Sequence, residues 1–301
     1  MREAEPSMVV QARAKINLTL EILGKRPDGY HELRSIIMPV SLADTVTLTP
    51  SLSQVALSLT FAPGIDVARI GAMDRNLAVR AAKLIKQRYG IQEGVRIHIH
   101  KRIPIGGGMG GGSADAAGVL RGLNRMWKLG LPVETLEALG AELGSDIPAL
   151  VHGGAVLMEG RGERVRSLFP VGSHSPRRGF WVVLANPGVM CPTSEVFKRW
   201  SGGLTNSPDI LHNMLSFIQA CQVDAAAEGL YNGLQRAVFE GYPLVARTAR
   251  LLREAGCLGV LLSGSGATVF GLVRDEAHGR EVSRRLGTGL WHVVAQTCPM
   301  V

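Results

Sequence analysis

Cysteine is scarce in this chain and never paired in sequence. Cys191, Cys221, Cys257 and Cys298 stand far apart and form no CxxC. That spacing suits neither a zinc site nor a disulfide scaffold, and reduced thiols in a cytoplasmic protein are expected. Aromatic residues make up only 5% of the sequence, and positive charge clusters no further than pairs such as Lys101-Arg102 and Arg177-Arg178. The net charge of +8 and the pI near 9.7 would suit a polyanionic partner. A nucleic-acid platform, however, needs clustered bases interleaved with aromatics, so no nucleic acid is expected. Repeats and low-complexity tracts are absent. Met1 to Met8 is acidic-leaning and lacks the apolar core of a secretory signal.

Charge is also missing from Ala255 to Val273, nineteen residues that could nominally span a bilayer. Gly256, Gly259, Gly264, Gly266 and Gly271 would weaken a helix there. Two short buried strands joined by a glycine turn are predicted instead, and no membrane partner. The length of 301 residues accommodates about two domains. Composition is ordinary, at 46% hydrophobic and 19% charged, except for 37 glycines.

Along the chain, Val10, Ala12, Ala14, Ile16, Leu18 and Leu20 alternate with Gln11, Arg13, Lys15, Asn17 and Thr19. A strand over 9–23 follows, with Lys15 and Asn17 on one face. Gly24 to His31 is turn-rich and 36–50 reads as extended. Asp74 is the predicted cap of a helix carrying Leu77, Ala81, Leu84 and Ile85 and ending near Gly90. Val95 to His100 alternates as a strand, and Ala116, Val119, Leu120, Leu123 and Trp127 have helical spacing from Ser113 onward. Pro132 opens a helix to about Gly144, and Ser145-Asp146-Ile147-Pro148 begins another. Gly153 to Arg166 resembles a hairpin, Ser173 to Gly179 a linker, and Phe180 to Ala185 a strand. Helical stretches, the glycine-rich hairpin and a final helix–strand pair complete the chain. The expected class is α+β in two domains.

Six of the seven residues from Gly106 to Gly112 are glycine, placed between a strand and a helix. Glycine reaches positive φ and lets main-chain N–H groups approach a ligand. The helix start adds unpaired N–H groups and the positive end of its dipole. Together these suit phosphate. A P-loop is excluded, because Ser113 follows Gly112 with no lysine between them. Gly106, Gly108 and Gly111 match the dinucleotide fingerprint, but Pro104 and a basic pair separate them from the strand. A dinucleotide-binding oxidoreductase remains the alternative. His98 and His100 share a strand face without a third ligand of matching spacing.

The stretch Pro104-Ile-Gly-Gly-Gly-Met-Gly-Gly-Gly-Ser-Ala-Asp-Ala-Ala117 resembles the central motif of the GHMP kinases. Ala14-Lys-Ile-Asn-Leu18 and Gly24-Lys-Arg-Pro-Asp-Gly-Tyr-His-Glu-Leu33 resemble the opening motif of one branch, which phosphorylates 4-diphosphocytidyl-2-C-methyl-D-erythritol. Gly144-Ser-Asp-Ile-Pro148 and Leu262-Ser-Gly-Ser-Gly-Ala-Thr268 match its catalytic segment and third motif. Four motifs in order across nearly the whole chain make the resemblance specific. Met109 stands where leucine is usual, and Ala114 replaces a second serine; neither change removes the main-chain cradle.

The resemblance implies an N-terminal domain over 1–172 with the ATP loop, a ferredoxin-like domain over 179–301, and a cleft between them. It implies ATP-binding by Pro104, Ile105, Gly106, Gly107, Gly108, Met109, Gly110, Gly111, Gly112, Ser113 and Ala114, with Asn76 and Lys101 as adenosine contacts. Ser265 and Gly266 would close over the phosphates, with Mg²⁺ held mainly by those phosphates. Asp146 would be the base and Lys15 its partner, although spacing alone also fits a helix cap at Asp146 and a solvated Lys15. Asn17, Tyr30, His31, Thr193 and Phe197 would hold the substrate, a cytidine diphosphate polyol, with the base between aromatic rings. A mevalonate- or homoserine-type relative would lack that clamp. A monomer or weak homodimer is expected.

Overall fold

The alternation of small apolar and polar residues from Met8 onward produces a long first strand, β1 (Met8–Lys25), which a turn at Gly29 joins to β2 (His31–Ser51). The computed structural model describes residues 7–169, 178–205 and 207–299. Two compact units result, and each is assembled from several chain segments rather than by one cut. The linker predicted at 173–179 lies, up to residue 177, outside the described residues.

The first unit comprises residues up to 14, 42–105 and 110–152. Its strands are the end of β2, β3 (Val55–Phe61) and β4 (Gly94–Lys101), with β4 antiparallel to β2 and parallel to β3. Its helices are α1 (Leu77–Arg88), α2 (Gly111–Met126), α3 (Val133–Ala141) and α4 (Ile147–His152). Ala81, Ile85, Val119, Leu120 and Leu123 bury against Val46, Leu48, Ile97 and Ile99. Gly118 and Gly122 let α2 lie close to its sheet, since a methyl on Gly122 would meet Leu48 Cδ1 at 2.4 Å.

Three predicted boundaries need correction. Asn76, not Asp74, caps α1: its Oδ1 accepts from the Ala78 N–H at 2.9 Å, while Asp74 sits in a preceding 3₁₀ turn. Helix α2 begins two residues before Ser113, inside the glycines, because Gly110 takes a left-handed φ of 69° and its carbonyl accepts from Ala114. Helix α3 ends at Ala141, short of Gly144.

The second unit comprises 15–41, 106–109 and 153 onward. The predicted hairpin is β5 (Val156–Gly160) with β6 (Arg164–Ser167), and β5 pairs antiparallel with β2. After β7 (Trp181–Asn186) come α5 (Thr193–Arg199), α6 (Pro208–Gln219), α7 (Val223–Glu228), and a two-residue strand, β8 (Tyr231–Asn232), parallel to β1. Then follow α8 (Gln235–Gly241), α9 (Pro243–Glu254), β9 (Gly259–Leu262), β10 (Val269–Val273), α10 (Glu276–Leu286) and β11 (Trp291–Gln296).

Strands β7, β9, β10 and β11 form an antiparallel sheet in the order β11-β7-β10-β9, which is the ferredoxin-like arrangement. Val245, Ala249 and Leu252 of α9 and Val282 of α10 pack on it. The uncharged run 255–273 is thus a hairpin. Among the described residues, no helix is long and apolar enough to cross a membrane.

Candidate active site

Within the second unit, the strand parity that pairs Lys15 with Asn17 becomes a buried polar chain. Lys15 is 3% exposed and Asn17 1%, so Lys15 is not a solvated surface lysine. The Lys15 ammonium donates to Asn17 Oδ1 at 2.8 Å, and Asn17 Nδ2 donates to Ser35 Oγ at 2.7 Å. Ser35 Oγ in turn donates to the Thr19 carbonyl at 2.5 Å. Each partner fixes the next, so the ammonium is held in one place. Ser35 was not foreseeable from the motif itself; its inward position in an alternating strand was the available signal.

The turn between β9 and β10 packs on the glycine run in the same unit. Ser263 Oγ donates to the Gly108 carbonyl at 3.1 Å, and the Thr268 N–H donates to the Gly107 carbonyl at 2.9 Å. The Lys15 N–H donates to the Met109 carbonyl at 3.0 Å. A methyl on Gly108, where φ is 77°, would meet the Ser263 carbonyl at 2.4 Å. One on Gly264 would meet the Lys15 ammonium at 3.2 Å. Only glycine allows these approaches. The Thr193 and Ser265 hydroxyls share a hydrogen bond of 2.9 Å, and Asn232 Nδ2 donates to the carbonyls of Leu262 and Gly264. Met190, half exposed, lies against Gly106.

The glycine segment is therefore one-sided. Its carbonyls from Gly107 to Gly110 accept hydrogen bonds, whereas among the described residues the N–H groups from Gly108 to Ser113 donate none. Free main-chain donors leading into a helix start are suited to bind an anion.

The aromatic residues also gather in this unit. The His31 ring stacks on Phe197, with centroids 4.7 Å apart, and meets Trp200 edge-on at 5.4 Å. Nothing fits between the His31 and Phe197 rings themselves at that stacking distance. Burial, and then Lys25, hold the His31 pKa below the usual histidine value, which leaves the ring neutral at pH 7. Tyr30 is 54% exposed, with the Arg161 guanidinium 5.3 Å above its ring. Trp200 and Arg161 were not anticipated.

In the first unit, Lys101 is 6% exposed, and its ammonium is held by Asp44 Oδ2 and, at 2.6 Å, by Asp115 Oδ2. The ammonium faces these two carboxylates. Burial opposes its charge, but Asp115 and Asp44 together raise its pKa above the usual lysine value. Asn76 uses its side-chain oxygen as the α1 cap. Asp146 directly precedes α4, and its carbonyl accepts from Leu150 at 3.3 Å. His98 and His100 bond to Ser58 and Thr60, and among the described residues no group of three His, Cys, Asp or Glu gathers as for a metal.

Comparison with known proteins gives the family of the chain. Residues 76–154 match the GHMP kinases N terminal domain and residues 214–290 the GHMP kinases C terminal domain. A relative from Geobacillus thermodenitrificans (strain NG80-2), named 4-diphosphocytidyl-2-C-methyl-D-erythritol kinase, is 40% identical, covering 91% of this chain and 90% of its own. One of the same name from Bacillus subtilis (strain 168) is 41% identical over 89% and 88%. A crystal structure described as 4-(cytidine 5'-diphospho)-2C-methyl-D-erythritol kinase superposes with a TM-score of 0.76 at 31% identity, covering 97% of this chain and 99% of that one. This chain belongs to the GHMP kinase family.

Proposed function

We propose that this chain transfers the terminal phosphate of ATP to the 2-hydroxyl of 4-diphosphocytidyl-2-C-methyl-D-erythritol. The products are the 2-phosphate and ADP, within non-mevalonate isoprenoid precursor synthesis. The observation that carries the reading is the one-sided glycine segment, whose carbonyls are tied back and whose N–H groups from Gly108 to Ser113 are left to bind. Relatives about 40% identical over nine-tenths of the chain carry the name of this activity.

Phosphoryl transfer to an alcohol asks for positioned phosphates, neutralised charge and a proton acceptor. In our assignment, residues 104–114 cradle ATP, with Ser265 and Gly266 beside them. Mg²⁺, bound with the nucleotide, would supply charge neutralisation at the transferring group. The amide-lined segment fits phosphate oxygens, and Mg²⁺ is carried mainly by them. Lys15, fixed by Asn17, polarises the acceptor hydroxyl. Asp146 takes the hydroxyl proton as the phosphate transfers directly in line, with no phosphoenzyme.

The cytosine packs against the rings of Tyr30 and Phe197, and a neutral His31 can both donate to and accept from its edge. Thr193 and Asn17 line the remainder, and Asn76 contacts the adenosine. We divide the chain in sequence at 172–179, a division compatible with family matches at 76–154 and 214–290. We place the protein in the cytoplasm, as a monomer or weak homodimer. With the family known, a dinucleotide oxidoreductase is set aside.

The test is ADP release with the cytidine diphosphate substrate, against mevalonate and homoserine. Turnover is expected only with the first, and Tyr30→Ala should raise its KM. Asp146→Asn should retain ATP binding yet lose at least about a hundredfold in kcat. Near-normal turnover of that variant would refute the base assignment.

A further inference from the structure

Behind the amide face of α2 lies a cluster that the proposed reaction does not use. Asp115 is 2% exposed, Asp44 is fully buried, and one ammonium, Lys101, serves both carboxylates. The two acids are unequal. Asp44 Oδ1 also accepts from the N–H groups of Arg102 and, at 2.9 Å, Ile103. Asp115 Oδ1 is buried without any hydrogen-bond partner. The cluster stands directly behind the glycines: a methyl on Gly111 would lie 3.7 Å from the Lys101 ammonium.

We propose that Asp115 is a positioning residue of the nucleotide site: through Lys101 it ties the start of α2 to Asp44, and it takes up a proton when a nucleotide's phosphates settle against the amides of that turn. With both acids ionised, the cluster carries one net negative charge inside a poorly polarisable interior, behind the surface that receives the phosphates. Coulomb repulsion there is weakly screened, and a proton from solvent forming an O–H bond on Asp115 removes it. Asp115, lacking donors on one oxygen, is the acid that yields. Burial and the Asp44 charge, only partly offset by Lys101, push its pKa up to about 7, within reach of physiological pH. The charged groups facing it are Lys101 from β4 and Asp44 from β2. Helices α1, α3 and α4 contribute apolar side chains, such as Ala82, Leu139 and Leu150, to the surrounding core.

The inference rests on ATP binding at this turn, as proposed above, and the experiment separates the two. ATP is titrated calorimetrically into wild type and Asp115→Asn at pH 8, in buffers of different ionisation enthalpy, with adenosine as the ligand lacking phosphates. Wild type should take up a few tenths of a proton more with ATP than the variant does, and none with adenosine. Between pH 6.5 and 8 its ATP affinity should fall roughly fivefold more than that of the variant. Equal proton counts and parallel pH profiles would overturn the proposal. If Asp115→Asn does not fold, the ATP and adenosine counts in wild type decide it, equality being fatal. Absence of ATP binding in wild type would remove the underlying reading and this one with it.

Discussion

Two carboxylates sharing one ammonium give the fold a pH dependence opposite to that of most acidic residues. Asp115 is raised to about 7 by burial first, against an ordinary value of 3.8 in the unfolded chain. The folded state therefore holds a proton that the unfolded state has already released, and its stability falls as pH rises from about 4 to about 7. A shift of this size corresponds to roughly 4 kcal/mol at most. Asp115→Asn, which keeps the shape without the charge, should melt higher than wild type at pH 8, with the difference closing toward pH 5. Thermal melts across that range check it; a constant difference would mean that Asp115 does not titrate there. Legibility in the sequence differed sharply among such residues. Lys15 and Asn17 stood out by parity and motif. Asp44 and Asp115 did not, although Asp44 shares strand parity with Val46 and Leu48, and Asp115 lies four residues before Val119 on an apolar stripe. A carboxylate on a buried face was the signal, and only its distant partner Lys101 explains it.

At the level of elements, the start of α2 sets helix stability against ligand access. A methyl on Gly112 would meet nothing nearer than Leu77 Cδ1 at 3.8 Å, so alanine fits the fold. Gly112→Ala should stabilise the free protein by about 0.5–1 kcal/mol through helix propensity. The added methyl would crowd the donor face, so the KM for ATP should rise about tenfold. Gly108→Ala should instead destabilise, because its methyl would strike main-chain oxygen at positive φ. Melting curves and ATP kinetics on both variants test this contrast. Most elements were readable from periodicity, including the 255–273 hairpin. The α1 cap and the first residue of α2 were not, since Asp74 and Asn76 are both competent caps and glycine carries no pattern of its own.

For the molecule as a whole, the interleaved units were not legible, because they depend on pairings between distant segments. In the second unit, β8 pairs with Thr19 and Leu20 of β1, Thr297 bridges to Val40, and the Ala155 N–H donates to the Pro299 carbonyl. A fragment of residues 179–301 would lose all three sets of partners and leave their polar groups and apolar neighbours open to water. It should melt well below the intact chain and less cooperatively, as followed by far-ultraviolet circular dichroism. A fragment matching the parent would mean that those pairings contribute little.

Ser263 reaches the Gly108 carbonyl across 155 positions of sequence. On a ribosome, therefore, the glycine segment emerges long before the turn that holds its carbonyls aside. A nucleotide bound at that segment, as proposed, would therefore meet a finished receptor only after synthesis has passed Thr268.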